Sequence, residues 1–288
     1  LGGLRAALFF ASKTGGVVRI SYSKYTAFLK NPERFRLYYM LGLTPEGDET
    51  PTLMNYGRRR GSCFHAMNEG IDRGLLLAKY GKEVVSRCED MLEVVPDLGE
   101  LDWVEREFEI PIGDGKHSIN GRIDHRFVNR DGVRQPGDFK TTKGTRTKAE
   151  VRTYFGDLET STQSHFYLRA EREWTETPTG LFTYHVIFDR KDKDHKPTYA
   201  PVELYVGPAE VDRTMAEVYA ACEAIEFLQH TYGVEKPWPH SNNWPCSGDR
   251  SFCGYQEICG RMMPKGCVPP GFTSRYKEQI QADTGDGQ

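Results

Sequence analysis

Between residues 208 and 230 apolar side chains return at alternating steps of four and three: Val211, Met215, Val218, Cys222 and Ile225. That period keeps them on one face, so PAEVDRTMAEVYAACEAIEFLQH is predicted to be an amphipathic α-helix. A second helical pattern opens at Ser21-Tyr22-Ser23 and carries Tyr25, Phe28, Leu29, Phe35, Tyr38 and Tyr39 as apolar contacts. Pro32 interrupts it or opens another helix. YGRRRGSCFHAMNEGIDRG, from Tyr56, reads as a helix with Gly57, Gly61 and His65 at four-residue steps, hence on one face. Residues 157–172 suit a further helix, with Gln163 and Tyr167 one turn apart. The remaining patterned segments are strands: WVEREFEIPI, HSINGRIDHRFV and VRQPGDFKTT within 102–142, then GLFTYHVIFDR and PTYAPVELYV. Asn129-Arg130-Asp131-Gly132 forms the turn between the second and third, and KDKDHK joins the last two. A polar loop containing Pro and Gly spans about 44–52. The order α-β-β-β-α-β-β-α predicts one α/β domain around a mixed sheet.

Composition adds bounds rather than a new direction. With 288 residues, 38% of them hydrophobic and 12% aromatic, the chain can bury a sizeable core in one large domain or two small ones. No apolar run approaches the roughly 20 residues needed to cross a bilayer. A formal charge of −3 argues against indiscriminate coating of nucleic acid, yet it leaves room for an acidic site inside a locally basic groove. The seven cysteines are an odd count with four in the last fifth of the chain, which favours metal or cluster ligation in a reducing compartment over a disulfide framework. Cys63, Cys88 and Cys222 read as small core residues. The opening LGGLRAALFFASKTGG is read as an altered or disordered terminus in preference to a processed leader.

The chemistry concentrates in residues 121–140. Asp138 and Lys140 are two residues apart, so on a strand they project from the same face, and Asp124 lies on the preceding strand across the turn. Clustered carboxylates repel unless a cation neutralises them, and hard oxygen ligands suit Mg²⁺ or Mn²⁺. A lysine beside such an ion can hold or deprotonate a water, which is the equipment for hydrolysing a phosphodiester. Two basic clusters flank this region: Arg58, Arg59 and Arg60 before His65, and Lys143, Arg146, Lys148 and Arg152 after the catalytic strand. Both are expected to hold phosphates beside the scissile bond. Tyr154 and Phe155 stack on unpaired bases or pack in the core. Glu69, one turn beyond His65, is a further residue within reach of the metal.

Taken together, GSCFH (61–65), GRID (121–124), GDFKTTK (137–143) and QSHFY (163–167) resemble the RecB-type branch of the PD-(D/E)XK nuclease superfamily, over residues 20–267. That branch includes helicase-associated nuclease domains, CRISPR spacer-acquisition nucleases and phage exonucleases. The resemblance implies a restriction-endonuclease-like fold, a central mixed β-sheet flanked by helices (an αβββαβ core) with a Cys-rich appendage. It implies that His65, Asp124, Asp138 and the Phe139 carbonyl bind Mg²⁺ or Mn²⁺. Lys140 would orient or deprotonate the attacking water, and Gln163 and Tyr167 would hold the lysine, the water or the substrate backbone. Gly61 would allow the nucleic acid or the sheet to approach its helix closely. Cys246-x6-Cys253-x5-Cys259 resembles part of an iron–sulfur staple whose fourth cysteine sits in a Cys-Pro-x-x-Phe setting, where this chain has Asn31-Pro32-Glu33-Arg34-Phe35. Cys267 supplying a fourth thiolate for a [4Fe–4S] cluster or zinc, Asn31 completing an unusual cluster, or no metal at all stay open.

The domain expectation is a nuclease domain at 20–237, a Cys-rich module packed on it at 238–268 and a polar tail at 269–288, after a disordered stretch at 1–19. The functional expectation is a metal-dependent DNA exonuclease leaving 5′-phosphate ends, in the cytoplasm of a bacterium or phage-infected cell. It would act in recombination, replication or repair beside a recombinase, a single-strand-annealing protein or a helicase. No P-loop is present, so any unwinding falls to a partner. The alternatives are an inactive nucleic-acid end-binding scaffold of the same fold, or a hydrolase of other phosphate esters.

Overall fold

The alternation of side chains across residues 100–143 is realised as three long strands, Glu100–Ile112 (β3), His117–Val128 (β4) and Arg134–Lys143 (β5). The computed structural model describes residues 16–45, 56–129, 131–143, 148–176, 178–189, 196–239, 255, 258–264 and 267–274. It divides into two units, one comprising Leu1–Leu53, Pro111–Ile119 and Ala216–Gln288, the other Met54–Ile110 and Asn120–Met215.

The second unit holds the sheet that carries the predicted catalytic strand. Strand β4 pairs antiparallel with β5, His125 opposite Gly137, after an Asn129 side chain that accepts from the Asp131 and Val133 amides and so closes the turn. Strand β5 pairs in parallel with Leu181–Asp189 (β6), which pairs antiparallel with Thr198–Tyr205 (β7), while β3 lies against β4. Central β6 is buried along most of its length, as its apolar LFTYHVIFD run requires of a strand covered on both faces. Helices Tyr56–Asn68 (α3), Arg73–Tyr80 (α4) and Lys82–Glu93 (α5) pack Cys63, Phe64, Leu76, Tyr80, Val84, Val85, Cys88 and Met91 against Phe139 and Ile187 of the sheet. Gly61 serves that approach to the sheet: a Cβ there would lie 3.3 Å from Thr141 Oγ1. The architecture is therefore mixed α/β, a central mixed sheet flanked by helices, as expected.

Two corrections belong here. The helix read from Tyr56 to Gly74 ends at Asn68, and residues 75–93, to which the sequence reading assigns no element, are helical; Asp72 caps α4 through the Gly74 and Leu75 amides, and Gly81 (φ +83°) ends it. The helix read at 157–172 is two, Lys148–Glu159 (α6) and Gln163–Trp174 (α7). The break falls at Thr160-Ser161-Thr162, where the Thr160 hydroxyl donates to the Gly156 carbonyl and the Ser161 carbonyl accepts from the Ser164 hydroxyl.

In the first unit Arg19–Ile20 (β1) pairs in parallel with Ser118–Ile119 at the start of β4. Ser21 caps Tyr22–Lys30 (α1), and Asn31 caps Pro32–Phe35 (α2) by accepting from the Arg34 amide at 3.0 Å, so Pro32 does open a helix. Tyr25, Phe28 and Phe35 are buried, whereas Leu29 is 56% exposed, outside the stripe assigned to it. A π-helical turn, Arg36–Met40, leads to Leu43–Pro45 (β2), which pairs with Phe272–Ser274 (β8). Pro208–Tyr232 (α8) is the helix read from its four-three spacing, and Val211, Met215, Val218, Cys222 and Ile225 are all buried.

Glu33 and Arg36 form a fully buried ion pair. Glu33 also accepts from the Trp238 and Gly260 amides, and Arg36 donates to the Val234 and Arg261 carbonyls, which ties α2 to the carboxy-terminal segment. Leu37, Leu43, Tyr255, Ile258, Met263 and Phe272 form the apolar core beside it. Cys246 and Cys253 lie outside the described residues; Cys259 is half-buried and Cys267 exposed. No helix among the described residues is long and apolar enough to cross a membrane.

Candidate active site

A cavity of about 690 Å³ in the second unit is lined by His65, Asp124, Asp138 and Lys140, together with Glu69 and Arg122. Helix α3 brings His65, β4 brings Asp124, and β5 brings Asp138 and Lys140 on one face. The β4–β5 register puts Asp124 one position beyond the His125–Gly137 pair, across from Asp138. There the Asp124 Oδ2 itself accepts from the Phe139 amide at 2.8 Å. His65 Nδ1 stands 3.4 Å from that same oxygen. The Lys140 ammonium lies 2.5 Å from Asp138 Oδ2, an ion pair with a buried carboxylate. Its other oxygen accepts from Gln163 at 3.1 Å and from the Tyr167 hydroxyl at 3.3 Å, and Gln163 donates to Tyr167 at 2.7 Å. Each predicted catalytic side chain thus reaches one constellation.

The electrostatics follow from that crowding. Burial and then the Asp138 charge push the Asp124 carboxyl up to about 8. Burial works against a charged His65, but the Glu105, Asp124 and Asp138 carboxylates around it outweigh it and raise its pKa. Burial likewise opposes the Lys140 ammonium, and Asp138 overrides it, holding the group above the usual lysine range. Burial and the Asp138 charge raise Tyr167 well above its ordinary value, so its hydroxyl stays a donor.

Sequence reasoning missed Glu105. Its Oε1 is 3.7 Å from His65 Nδ1, and its Oε2 accepts from Arg122 Nε at 2.6 Å. His65, Glu105 and Asp124 offer donor atoms all within 4.8 Å of one another. Glu69 lines the cavity but is drawn to Arg122, 3.6 Å away. An imidazole and several carboxylates converging within a few ångströms are a set that fits a divalent cation of the Mg²⁺ or Mn²⁺ kind.

The basic residues are divided. Arg60, expected at the nucleic acid, is 4% exposed and pairs with Asp189, which Arg87 also holds, so it is a buried structural residue. Arg59 donates to the Tyr80 carbonyl at 2.6 Å, whereas Arg58, Lys148 and Arg152 are exposed. Arg146 and the Lys143 side chain lie outside what the structure describes. Tyr154 and Phe155 are half-buried against Phe188, which favours their packing role.

Several of the histidines read as structural have packing or hydrogen-bond partners. His125 and His185 pack against the Phe139 ring at tilted angles, and burial lowers the pKa of both, His185 to about 4. His165 bonds to Thr214. In the first unit His117, Glu223 and Glu226 form a second donor group, but Lys116 Nζ sits 3.1 and 2.5 Å from the two carboxylates. His117 Nδ1 accepts from the Val18 amide at 3.2 Å, which leaves the ring proton on the Nε2 that faces Glu223 at 2.7 Å. The Lys116 ammonium already occupies the space between the two carboxylates, so this group reads as a structural tie.

No curated protein matches the chain. Among solved structures it is similar to a protein from Eubacterium rectale described as a "Putative exonuclease" (14% identity, TM-score 0.44, covering 77% of this chain and 91% of that one). It is similar also to SSO0001 (16%, TM-score 0.34, covering 91% and 94%). A third likeness is to Scheffersomyces stipitis Rai1 in complex with 3′-NADP⁺ and calcium (12%, TM-score 0.30, covering 80% and 66%). With TM-scores below 0.5 none of the three says more about this chain. The decisive match is to a sequence family: its model matches residues 19–260, and the chain belongs to the PD-(D/E)XK nuclease superfamily.

Proposed function

We propose that the chain is a divalent-cation-dependent deoxyribonuclease of the RecB-type branch that works from DNA ends and leaves 5′-phosphates. The observation that carries this reading is the convergence of His65, Asp124, Asp138 and Lys140 on one cavity. His65, Asp124, Asp138 and the Phe139 carbonyl are the groups that would hold the ion, which when bound polarises the phosphoryl oxygen and acidifies its water. Lys140, kept protonated beside Asp138, positions the attacking water and offsets charge developing on the phosphate. Gln163 and Tyr167 fix the Asp138 carboxylate in the rotamer that leaves Oδ2 toward the lysine. Exposed Arg58, Lys148 and Arg152, with Lys143 and Arg146, would follow the DNA backbone.

In this reading residues 20–237 are the nuclease domain and 238–268 its appendage. Cys246, Cys253, Cys259 and Cys267 would hold a structural zinc or a [4Fe–4S] cluster, supported by their spacing alone; protein free of stoichiometric zinc and iron on elemental analysis overturns that part. The setting is the cytoplasm of a bacterial or phage-infected cell, with a recombinase, annealing protein or helicase as partner. The test is incubation of linear DNA with the full chain and Mg²⁺ or Mn²⁺, beside Asp138→Ala and Lys140→Ala. Loss of cleavage by 10²-fold or more in both is expected. Equal activity in all three rejects the assignment, and tight DNA binding without turnover in the unsubstituted chain points to the scaffold.

A further inference from the structure

Resting on the cation-dependent reading above, we infer that Glu105 is an additional protein ligand of the ion and that Arg122 is its positioning residue. Around Mg²⁺, octahedral donors at about 2.0–2.1 Å stand about 3.0 Å apart when adjacent and about 4.2 Å apart when opposite. The donor atoms of His65 and Asp124 are 3.4 Å apart, those of His65 and Glu105 are 3.7 Å apart, and the three lie within 4.8 Å of each other. Contractions of about 0.4 Å and 0.7 Å bring the two His65 pairs to adjacent positions around one ion. Asp138, by contrast, is engaged by Lys140, Gln163 and Tyr167, so Glu105 is the less committed carboxylate beside the imidazole.

The two Glu105 oxygens are already assigned different directions. One faces His65, while the other is held by Arg122 at 2.6 Å. A ligand carboxylate whose second oxygen is fixed by a neighbouring donor is the usual arrangement for orienting a metal ligand. Arg122 can keep its bond while the ion takes the free oxygen. The backbone agrees: Glu105 has φ +49°, and among described residues no other non-glycine has a positive φ. A residue with a Cβ in that region is uncommon, and such backbone outliers cluster at active sites and ligand clamps. The side chain is 11% exposed, so it is aimed at the site and not into solvent.

The experiment is Mn²⁺ titration of the full chain without nucleic acid, by calorimetry and by the electron-paramagnetic signal of free Mn²⁺, with Glu105→Gln and Glu105→Gly beside the unsubstituted protein. Glu105→Gln should weaken Mn²⁺ binding at least tenfold. Glu105→Gly should weaken it equally while its unfolding midpoint in chelator stays level or rises, because glycine accepts the positive φ. A merely structural Glu105–Arg122 pair would instead lower the Glu105→Gly midpoint and leave Mn²⁺ affinity within twofold, and that result overturns the inference. If the unsubstituted chain binds Mn²⁺ and cleaves DNA while both variants bind as well, only the role of Glu105 falls. If the unsubstituted chain binds no Mn²⁺, the cation-dependent reading and this inference fall together.

Discussion

Replacing Asp124 by asparagine should make the fold harder to unfold while abolishing cation binding. Burial and the adjacent Asp138 carboxylate lift the Asp124 carboxyl from its ordinary value near 3.8 up to about 8. Between those pH values the unfolded chain has released the proton and the folded chain has kept it. Stability from this group is therefore fullest below about pH 4, falls as pH rises toward about 8, and is flat above. At about 1.36 kcal/mol per pH unit the span sets an upper limit of about 5–6 kcal/mol. Because the repulsion is shared with Asp138, the part recovered by neutralising Asp124 is smaller than that limit. Asparagine keeps a carbonyl oxygen for the Phe139 amide, now 2.8 Å from Oδ2, so little packing is lost. His65 works in the same direction: its raised pKa gives stability at low pH that fades as pH climbs through the folded value. The assay is urea unfolding of both proteins at pH 5, 6.5 and 8, with EDTA and with Mn²⁺. In EDTA the Asp124→Asn advantage should be least at pH 5 and greatest at pH 8. Saturating Mn²⁺, at a hundred times its dissociation constant, should add about 2.7 kcal/mol to the unsubstituted protein and nothing to the variant. A variant less stable than its parent at pH 8 in EDTA, or an advantage that does not grow with pH, refutes the reasoning.

Arg60→Ala should cost about 3–5 kcal/mol in urea unfolding by leaving buried Asp189 short of a partner, with the salt dependence of DNA binding unchanged. Exposed Arg152→Ala should do the reverse, leaving stability within about 0.5 kcal/mol and lowering the salt slope by about 0.7–0.9; a slope that follows Arg60 instead overturns this division. Gln163→Ala removes the donor to Asp138 and Tyr167 and should slow single-turnover cleavage about 10–100-fold; unaltered rates would leave Gln163 no positioning role. Glu33→Gln strands the buried Arg36 guanidinium and should cost about 3–5 kcal/mol, most of it regained in a Glu33→Gln, Arg36→Met double variant; additive losses would show the pair is not the source.

Much of the fold was legible because its signals are local. The alternation through 100–143, the Asn129-to-Gly132 turn and the four-three steps of α8 need no knowledge of what lies elsewhere. Helices α4 and α5 were equally readable, since Asp72 and Gly81 punctuate them and Val84, Val85, Cys88 and Met91 return at helical spacing. The π-helical turn at Arg36–Met40 was not, because it exists to bury a whole guanidinium against Glu33 and carbonyls some 200 residues away, Val234 at a separation of 198. Leu29 shows the same limit at smaller scale: periodicity widened the apolar stripe by one position beyond what α1 covers.

The site divides along the same line. Asp124, Asp138 and Lys140 are related by strand alternation and one short turn, and Gln163 to Tyr167 by one helical turn, so their convergence is a matter of nearest-neighbour geometry. Glu105 sits in a β3 run where Glu107 and Glu109 look identical in sequence; only a positive φ and the pairing with Arg122 distinguish it. Arg58, Arg59 and Arg60 make the converse error. Read as a run they form one basic patch, but consecutive residues on a helix point about 100° apart. Arg58 accordingly faces solvent, Arg59 turns to the Tyr80 carbonyl, and Arg60 enters the core toward Asp189, 129 residues along the chain. A cluster of like charge in sequence is thus evidence for a phosphate-binding surface only to the extent that its residues share a face, and in α3 Arg58 is the one of the three that is exposed.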